Sequence, residues 1–137
     1  MTVLVTGGYG FIGHHLVKCL RNKGYRTIVY DKETYACEYV DKENVRTVWS
    51  VYGDILDVKK LESVFRIHKF DKVFHLAAES HVDNSFKSSL IFTKSNALGT
   101  HVLLESCRIK KPKKIQSLMM EIKQEQLSWQ NTLALMK

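Results

Sequence analysis

Three spaced glycines near the start of the chain form a pattern that can hold a phosphate group. Gly7, Gly10 and Gly13 follow the apolar run of residues 1–5 and precede a segment with helical spacing. In such a pattern the first glycine permits a tight turn, the second lets the backbone approach phosphates, and the third lets helix and strand pack closely. The N–H groups at the helix start then attract the anion. The motif therefore predicts a dinucleotide pyrophosphate site.

Two glycine registers fit these residues. Gly8, Gly10 and Gly13 give the general dinucleotide pattern, whereas Thr6 and Gly7 with the same two later glycines give the spacing of short-chain dehydrogenase/reductase proteins. A glycine-rich turn that binds no ligand is the alternative interpretation. A P-loop is excluded, because no Gly-Lys-Ser/Thr follows the glycines.

An acid completes the pattern at the end of a second predicted strand. Residues 12–23 predict a helix and residues 27–30 a strand, which ends at Asp31, eighteen residues after Gly13. An acid at about this distance can accept hydrogen bonds from the adenosine ribose hydroxyls. The helix should end at Gly24. Its predicted buried side comprises Ile12, Leu16, Cys19 and Leu20.

Strand and helix signals alternate along most of the chain, which predicts parallel βαβ units. The predicted strands are residues 1–5, 27–30, 46–52, 71–78 and 113–118, and the predicted helices are residues 12–23, 57–68 and 88–108. We predict an α/β fold with a doubly wound Rossmann-type parallel sheet, in strand order 3-2-1-4-5 and truncated after about strand five. This order places a ligand crevice between strands one and four. The helix of residues 88–108 carries one stripe formed by Ile91, Ser95, Leu98, Val102 and Glu105, and a neighbouring stripe formed by Leu90, Ala97 and Leu104.

Composition indicates a single soluble globular domain. The 137 residues are 45% hydrophobic and 26% charged, and no apolar run is long enough to cross a bilayer. The net charge of +7 is spread along the chain apart from residues 108–114, where basic side chains suit a helix end better than a nucleic-acid site. Cys19, Cys37 and Cys107 lack metal-ligand spacing. We therefore expect reduced thiols, two of them buried on helices, in a cytoplasmic protein without metal, membrane or nucleic-acid partners.

Two further segments indicate which protein family the chain resembles. Residues 31–36 read Asp-Lys-Glu-Thr-Tyr-Ala, and residues 76–83 read Leu-Ala-Ala-Glu-Ser-His-Val-Asp. With the glycine motif they resemble the dTDP-glucose 4,6-dehydratases, extended short-chain dehydrogenase/reductase proteins that make 4-keto-6-deoxy sugar nucleotides with tightly held NAD. The resemblance covers about residues 2–115, and related epimerases and decarboxylases share most of these motifs. It implies an NAD cofactor and a nucleotide-sugar substrate.

The resemblance also implies site residues, position by position. The implied pyrophosphate contacts are Gly7, Gly10, Phe11, Ile12 and Gly13. The implied contacts to the adenosine half are Asp31, Lys32, Thr34, Asp54 and Ile55. The residues implied to run beneath the nicotinamide-side ribose are Leu76, Ala77, Ala78, Glu79 and Ser80. Ser95 is implied to offer a hydroxyl to the cofactor, and Ser80 also to touch the sugar nucleotide. Alternatively, Asp54 caps a turn and Ser95 is a satisfied helix serine.

The sequence departs from this family where its catalytic residues are expected. These dehydratases carry Ser-Thr-Asp-Glu-Val-Tyr after the fifth strand and a later Tyr-x-x-x-Lys, whereas residues 113–120 here read Lys-Lys-Ile-Gln-Ser-Leu-Met-Met. No tyrosine follows Tyr52. We therefore expect a catalytically incompetent NAD-binding portion, residues 1–115, followed by an unrelated and loosely helical tail, residues 116–137. A truncated, alternatively spliced or frameshifted product would explain the tail.

Other interpretations stay open at this stage. One is an NAD-binding regulatory or partner module, and another is a fragment of a related epimerase or decarboxylase. A third is an unfamiliar enzyme with His75 or His81 as base, although His81 and Asp83 also suit a helix-entry turn. The cut sheet should leave an uncovered helix, residues 88–108, through which the chain self-associates unless residues 119–136 cover it.

Overall fold

The computed structural model describes residues 1–37, 49–81, 86 and 88–117. The strands are β1 (Thr2–Thr6), β2 (Arg26–Asp31), β3 (Ser50–Tyr52), β4 (Lys72–His75) and β5 (Lys114–Ser117). The helical elements are α1 (Phe11–Asn22), a 3₁₀ turn (Tyr35–Cys37), α2 (Val58–Ile67), α3 (Ser89–Phe92), a π-helical segment (Thr93–Gly99) and α4 (Thr100–Lys110).

The five strands form one parallel sheet in the order β3-β2-β1-β4-β5. This confirms the predicted fold class and strand order. Right-handed crossovers then direct successive connections to opposite halves of the sheet, so the carboxyl ends of β1 and β4 flank the point where the strand order reverses. The predicted crevice lies at this edge.

Two apolar clusters cover the two faces of the sheet, because alternate residues of a strand point to opposite faces. On the first face Leu4 and Ile28 pack with Leu61 of α2 and Leu103 of α4. On the second face a smaller cluster packs beneath α1; it contains Val3, Val5, Tyr9, Val17, Leu20, Val29 and Cys37. The central strand β1 is therefore buried from both sides.

The buried face of α1 matches the prediction in part. Leu20 is buried and Leu16 packs against the core, as expected. Gly13 and Val17 also face the sheet, whereas Ile12 is 52% exposed and Cys19 is exposed. The cause is the close approach of Gly13 to the turn before α1: a Cβ at Gly13 would collide with the carbonyl oxygen of Gly7. This contact fixes the rotation of the helix and turns its neighbour Ile12 outward.

Helix α2 matches its prediction closely. The side chain of Asp57 caps the helix by accepting a hydrogen bond from the Lys60 N–H at 3.0 Å. Leu61, Val64 and Phe65 form its buried face. The helix ends at Ile67, and His68 follows in an extended conformation.

The long helix predicted over residues 88–108 is interrupted. Between α3 and α4, Thr93–Gly99 forms a π-helix, whose wider turn holds more residues than an α-helical one. The predicted stripe is therefore buried only in part. Ser95 is buried and Val102 packs against the core, but Ile91 and Leu98 are half exposed. Glu105 pairs with Arg108 on the surface. The buried residues along the π-helical segment and α4 are Ser95, Gly99, Thr100, Leu103, Ser106 and Cys107.

Several boundaries also move. Strand β4 ends at His75 and not at residue 78, because the chain leaves the sheet to form one wall of the crevice. The predicted third strand begins at residue 46, and residues 46–48 lie outside the described residues. Strand β5 runs to Ser117, beyond the predicted domain boundary at residue 115. The tail from residue 118 onward lies outside the described residues, so its helical character stays a prediction.

The cysteines are placed partly as expected. Cys37 and Cys107 are buried and Cys19 is exposed, but Cys37 belongs to the 3₁₀ turn and only Cys107 lies buried on an α-helix. Burial raises the pKa of the Cys107 thiol to about 12. Within the described residues, no helix is long and apolar enough to span a bilayer, and no cluster of His, Cys, Asp or Glu is arranged to hold a metal.

Candidate functional site

The turn between β1 and α1 is built from glycines that the backbone itself requires. Gly7 has φ +70°, a conformation that favours glycine, and a Cβ there would lie 2.5 Å from the Ala77 nitrogen. The Gly7 N–H donates to the carbonyl of Tyr30 at 3.0 Å, which ties the turn to β2. With Gly13 packed against Gly7, the turn brings the start of α1 close to the carboxyl ends of β1, β2 and β4.

Gly10 differs from these two glycines, because no such packing requires it. A Cβ at Gly10 would meet only the Gly7 carbonyl oxygen, at an ordinary 3.4 Å, and Gly10 lines the crevice. Its backbone is extended, with φ −73° and ψ 171°, a conformation open to any residue. The bare surface at Gly10 therefore leaves space for a molecule other than the protein.

The start of α1 is open toward that space. A helix leaves the N–H groups of its first turn without intrahelical partners. Within the described residues, no side chain caps α1 and its first turn carries no acid. The position therefore combines the positive end of a helix dipole with unoccupied N–H donors, the arrangement that binds phosphate groups.

Asp31 lies beside this turn, at the end of β2. Its side chain is 8% exposed, and its two oxygens accept hydrogen bonds from the backbone N–H groups of Tyr9 at 2.9 Å and Glu33 at 2.8 Å. These bonds fix the carboxylate at the crevice edge, where each oxygen keeps lone pairs that can accept further bonds. Asp31 is thus oriented before any ligand arrives.

The segment after β4 forms the opposite wall. The Leu76 N–H donates to the Thr6 carbonyl at 3.0 Å, so the chain stays beside β1 for one further residue. Asn96 of the π-helical segment then holds both backbone groups of Glu79: its Oδ1 accepts from the Glu79 N–H at 2.8 Å, and its Nδ2 donates to the Glu79 carbonyl at 2.9 Å. Residues 76–79 are therefore fixed on both sides.

Charged and polar side chains link the two walls. The Lys32 ammonium lies 3.7 Å from the Asp54 carboxylate and 3.6 Å from that of Glu79. The Tyr35 hydroxyl donates to Glu79 at 3.1 Å. Because Lys32 is partly exposed, each ion pair contributes little stability, but together they set the spacing of the crevice mouth.

The floor contains residues that the sequence analysis did not identify, namely Tyr30, Cys37 and Gly53. The Tyr30 hydroxyl donates to the Asp54 carbonyl at 2.8 Å, and burial, followed by the charges of Asp57 and Asp54, raises its pKa to about 12. A Cβ at Gly53 would overlap the Tyr30 ring at 2.5 Å. The contact between the Tyr30 ring in β2 and Gly53, which follows β3, cannot be recognised from a single sequence.

Most of the predicted site residues line this one crevice. They are Gly7, Gly10, Asp31, Lys32, Thr34, Ile55, Leu76, Ala77, Ala78, Glu79 and Ser95. They come from five segments that are distant along the chain and meet at the carboxyl edge of the sheet. The geometry therefore supports a shared site, while the contact of each residue with a cofactor stays a prediction.

Five predicted residues do not line the crevice in this structure. Phe11 is 75% exposed, Ile12 and Ser80 are also exposed, and Gly13 is used in packing. The Asp54 carboxylate accepts a hydrogen bond from the Leu56 N–H at 2.9 Å, as the turn-capping alternative predicts. For Phe11, Ile12 and Gly13 the backbone N–H groups, and not the side chains, point to an anion site.

His75 is unsuited to act as a base. Its side chain is 1% exposed, with Nδ1 2.7 Å from the Thr6 hydroxyl and Nε2 2.9 Å from the Thr100 hydroxyl. Burial lowers the pKa of its imidazole to about 4. His81 is exposed and contacts the Tyr35 ring edge-on, with the ring centres 5.5 Å apart. Asp83 lies outside the described residues.

Solved structures with a similar fold bind nucleotide cofactors. The UDP-glucose 4-epimerase of Thermus thermophilus, solved with NAD, matches with a TM-score of 0.75 and 35% identity, over 84% of this chain and 36% of that one. The dTDP-glucose 4,6-dehydratase of Streptomyces venezuelae, solved with NAD and TYD bound, matches with a TM-score of 0.72 and 35% identity, over 84% and 38% of the two chains.

Curated relatives are similar over the same region. The dTDP-D-glucose 4,6-dehydratase of Dictyostelium discoideum is 48% identical over 120 residues, which are 82% of this chain and 27% of that protein. The dTDP-glucose 4,6-dehydratase 1 of Escherichia coli K12 is 42% identical over 115 residues, 79% of this chain and 31% of that protein. The chain thus spans about a third or less of their length. Because the family model described as GDP-mannose 4,6 dehydratase also matches residues 4–121, the chain belongs to that family of sugar-nucleotide dehydratases and epimerases.

Proposed function

We propose that this chain is the NAD-binding portion of a dTDP-glucose 4,6-dehydratase-like protein. The observation that carries the proposal is the bare surface at Gly10, which lies beside the open start of α1 and in the same crevice as the fixed carboxylate of Asp31. N–H donors for a phosphate and a carboxylate acceptor for ribose hydroxyls then face the same crevice. The NAD-bound relatives support the identity of the ligand.

The residues present fit NAD along its length. In the proposed complex the pyrophosphate lies at the start of α1, against Gly7 and Gly10. The adenosine ribose lies against Asp31, with Lys32 and Thr34 beside it. The adenine borders Ile55 and Asp54, and the nicotinamide half follows Leu76, Ala77, Ala78, Glu79 and Ser80 with Ser95. When bound, NAD supplies a hydride acceptor for oxidation of a sugar hydroxyl.

Asp31 should favour NAD over NADP. Its carboxylate would repel the 2′-phosphate of NADP, and the charge of nearby Lys32 is already countered by Asp54 and Glu79. Replacing Asp31 by Ala should weaken NAD binding by about 1–3 kcal/mol, the cost of leaving a buried hydrogen bond unmade. Isothermal titration of both cofactors measures this, with Glu62→Ala on the exposed side of α2 as the control. Equal or reversed affinities for the two cofactors would remove Asp31 from this role.

We further propose that the isolated chain binds NAD without converting a sugar nucleotide. No tyrosine follows Tyr52, and His75 is enclosed by two threonines, so within the described residues neither a later tyrosine nor His75 can serve as the base for the hydroxyl to be oxidised. General acid–base catalysis contributes roughly a hundred- to ten-thousand-fold to such steps. Incubation with dTDP-glucose or UDP-glucose and NAD should give no 4-keto-6-deoxy product. Formation of that product at an ordinary enzyme's rate would reject this proposal.

Two related functions compete with this one. A fragment of a sugar-nucleotide epimerase is supported by the epimerases among the structural neighbours. A regulatory or partner module that binds NAD is supported by the same crevice and the same lack of a base. The higher identity to curated dehydratases, 48% and 42%, favours the dehydratase assignment. We also propose a cytoplasmic location, because Cys19, Cys37 and Cys107 form no disulfide in the structure.

A further inference from the structure

A buried network of hydrogen bonds, the His75 network, lies behind the crevice wall and consists of Thr6, His75, Asn96 and Thr100. The Thr6 hydroxyl is 2.7 Å from His75 Nδ1, and His75 Nε2 is 2.9 Å from the Thr100 hydroxyl. The Thr100 hydroxyl in turn donates to the Asn96 carbonyl at 2.6 Å. The network thus joins β1, β4 and the junction of the π-helical segment with α4.

One arrangement of protons satisfies this network with a neutral His75 ring. The single hydroxyl proton of Thr100 lies between its oxygen and the Asn96 carbonyl, because two acceptors 2.6 Å apart require a proton between them. Thr100 must then accept from His75, so Nε2 carries the imidazole proton. Nδ1 is left as an acceptor and receives the hydroxyl proton of Thr6. His75 is neutral in this arrangement, in agreement with its low pKa.

Both ends of the network attach to the same wall of the crevice. At one end the Ala77 N–H points to the Thr6 hydroxyl at 3.5 Å. At the other end the Asn96 side chain holds the N–H and the carbonyl of Glu79. The wider π-helical turn sets the register in which Asn96 reaches Glu79 while its neighbour Ser95 lines the crevice. Such π-helical turns frequently occur at functional sites.

We propose that His75 is a positioning residue that, as the neutral Nε2–H tautomer, holds residues 76–79 in the place that NAD binding requires. This inference rests on the proposed function, and it extends that function to residues that do not touch the crevice. The wall is ordered before the cofactor arrives, so binding does not have to order it. Breaking the network should loosen the wall while leaving the apolar core intact.

The test uses the full chain and three substitutions at threonine. Thr100→Val keeps the shape and removes the acceptor for Nε2, whereas Thr100→Ser retains the hydroxyl. Thr93→Val, at an exposed hydroxyl of the π-helical segment that donates to Ser89, is the matched control. For each protein, NAD affinity is measured by titration, and exchange of the Glu79 amide hydrogen by NMR without cofactor.

Thr100→Val should weaken NAD binding roughly tenfold and speed Glu79 amide exchange by a similar factor, as loss of one buried hydrogen bond predicts. Thr100→Ser should restore both values to within about threefold of the wild type, and Thr93→Val should leave both unchanged. If the wild type binds NAD and the Thr100→Val variant binds it equally well, the positioning role of His75 is overturned, while the proposed function is not. A wild type that does not bind NAD overturns the proposed function and the positioning role together.

A measurement on the unsubstituted chain keeps the inference falsifiable if Thr100→Val does not fold. The ¹⁵N shifts of the His75 ring at pH 7 distinguish its protonation states directly. A protonated Nε2 beside an unprotonated Nδ1 supports the assigned arrangement. The opposite tautomer, or a ring protonated at both nitrogens, overturns it.

Discussion

At the scale of single residues, the glycines of the first turn have different physical roles. Gly13 is required by packing against the Gly7 carbonyl, whereas Gly10 faces open space in the crevice. The glycine motif alone cannot separate these roles, because both positions are defined by the same spacing. The structure separates them by what a Cβ would contact.

Gly10→Ala should therefore weaken NAD binding by roughly 1–2 kcal/mol, which is about 5- to 30-fold, because the new methyl group obstructs the phosphate contacts. Its melting temperature should be unchanged. Its backbone conformation accepts alanine, and the new Cβ has only an ordinary contact within the protein. Calorimetric titration and thermal melting measure the two effects.

Gly13→Ala is the matched control, because its methyl group must displace the Gly7 turn. It should lower the melting temperature even without cofactor. If Gly10→Ala binds NAD as well as the wild type, the phosphates do not approach the backbone at this position.

Residues whose role follows from local spacing were predicted from the sequence better than residues whose role depends on tertiary contacts. Gly10 and Asp31 were predictable because each lies at a fixed distance from the end of a strand. Tyr30 was not, because its role depends on Gly53 beyond the neighbouring strand. The exposure of Phe11 was likewise unpredictable, since it depends on the rotation that Gly13 imposes on α1.

At the scale of elements, the difference between local spacing and tertiary contact also explains why the long helix was predicted only in part. Its existence was predicted from apolar spacing, but that spacing assumes 3.6 residues per turn. The π-helical segment, Thr93–Gly99, breaks this period and shifts the buried face. Gly99 shows one reason for the fit: a Cβ there would overlap the Ile55 side chain at 2.5 Å.

The buried imidazole of His75 makes stability depend on pH. Its pKa is lowered to about 4 in the folded state, below the ordinary value of 6.5, so the unfolded chain binds more protons between these values. Stability from the neutral ring is complete above pH 6.5 and is lost as pH falls toward 4. From pH 7 to pH 5 we expect a loss of about 2 kcal/mol.

Urea unfolding at pH 7 and pH 5 measures this loss, and His75→Gln should remove most of it. His15→Gln, on the exposed side of α1, is the control and should keep the wild-type dependence. A wild type whose unfolding free energy is equal at the two pH values would show that His75 is not held as the structure indicates.

At the scale of the whole molecule, the described residues leave an apolar surface on α3. Leu90 is 61% exposed and Ile91 is 50% exposed. These two adjacent residues belong to the helix, residues 88–108, that we expected to be uncovered. Adjacent exposed apolar side chains favour association when they form part of a larger patch.

We predict that the chain self-associates through this surface. Size-exclusion chromatography at rising concentration should show a dimer or larger species, and Leu90→Glu with Ile91→Glu should return it to a monomer. Ile67→Glu, an exposed position at the end of α2, is the control and should leave association unchanged. A wild type that remains monomeric across the range would reject this prediction.

The central claim is that NAD occupies the crevice at the carboxyl edge of β1, β2 and β4. The most direct measurement is a ¹H–¹⁵N NMR titration of the chain with NAD. The amides of Gly7, Gly10, Glu33 and Ala77 should shift and saturate together, while those of Lys69 and Lys113 at the opposite edge should stay in place. Saturable shifts confined to the opposite edge, or no shifts at millimolar NAD, would contradict the account.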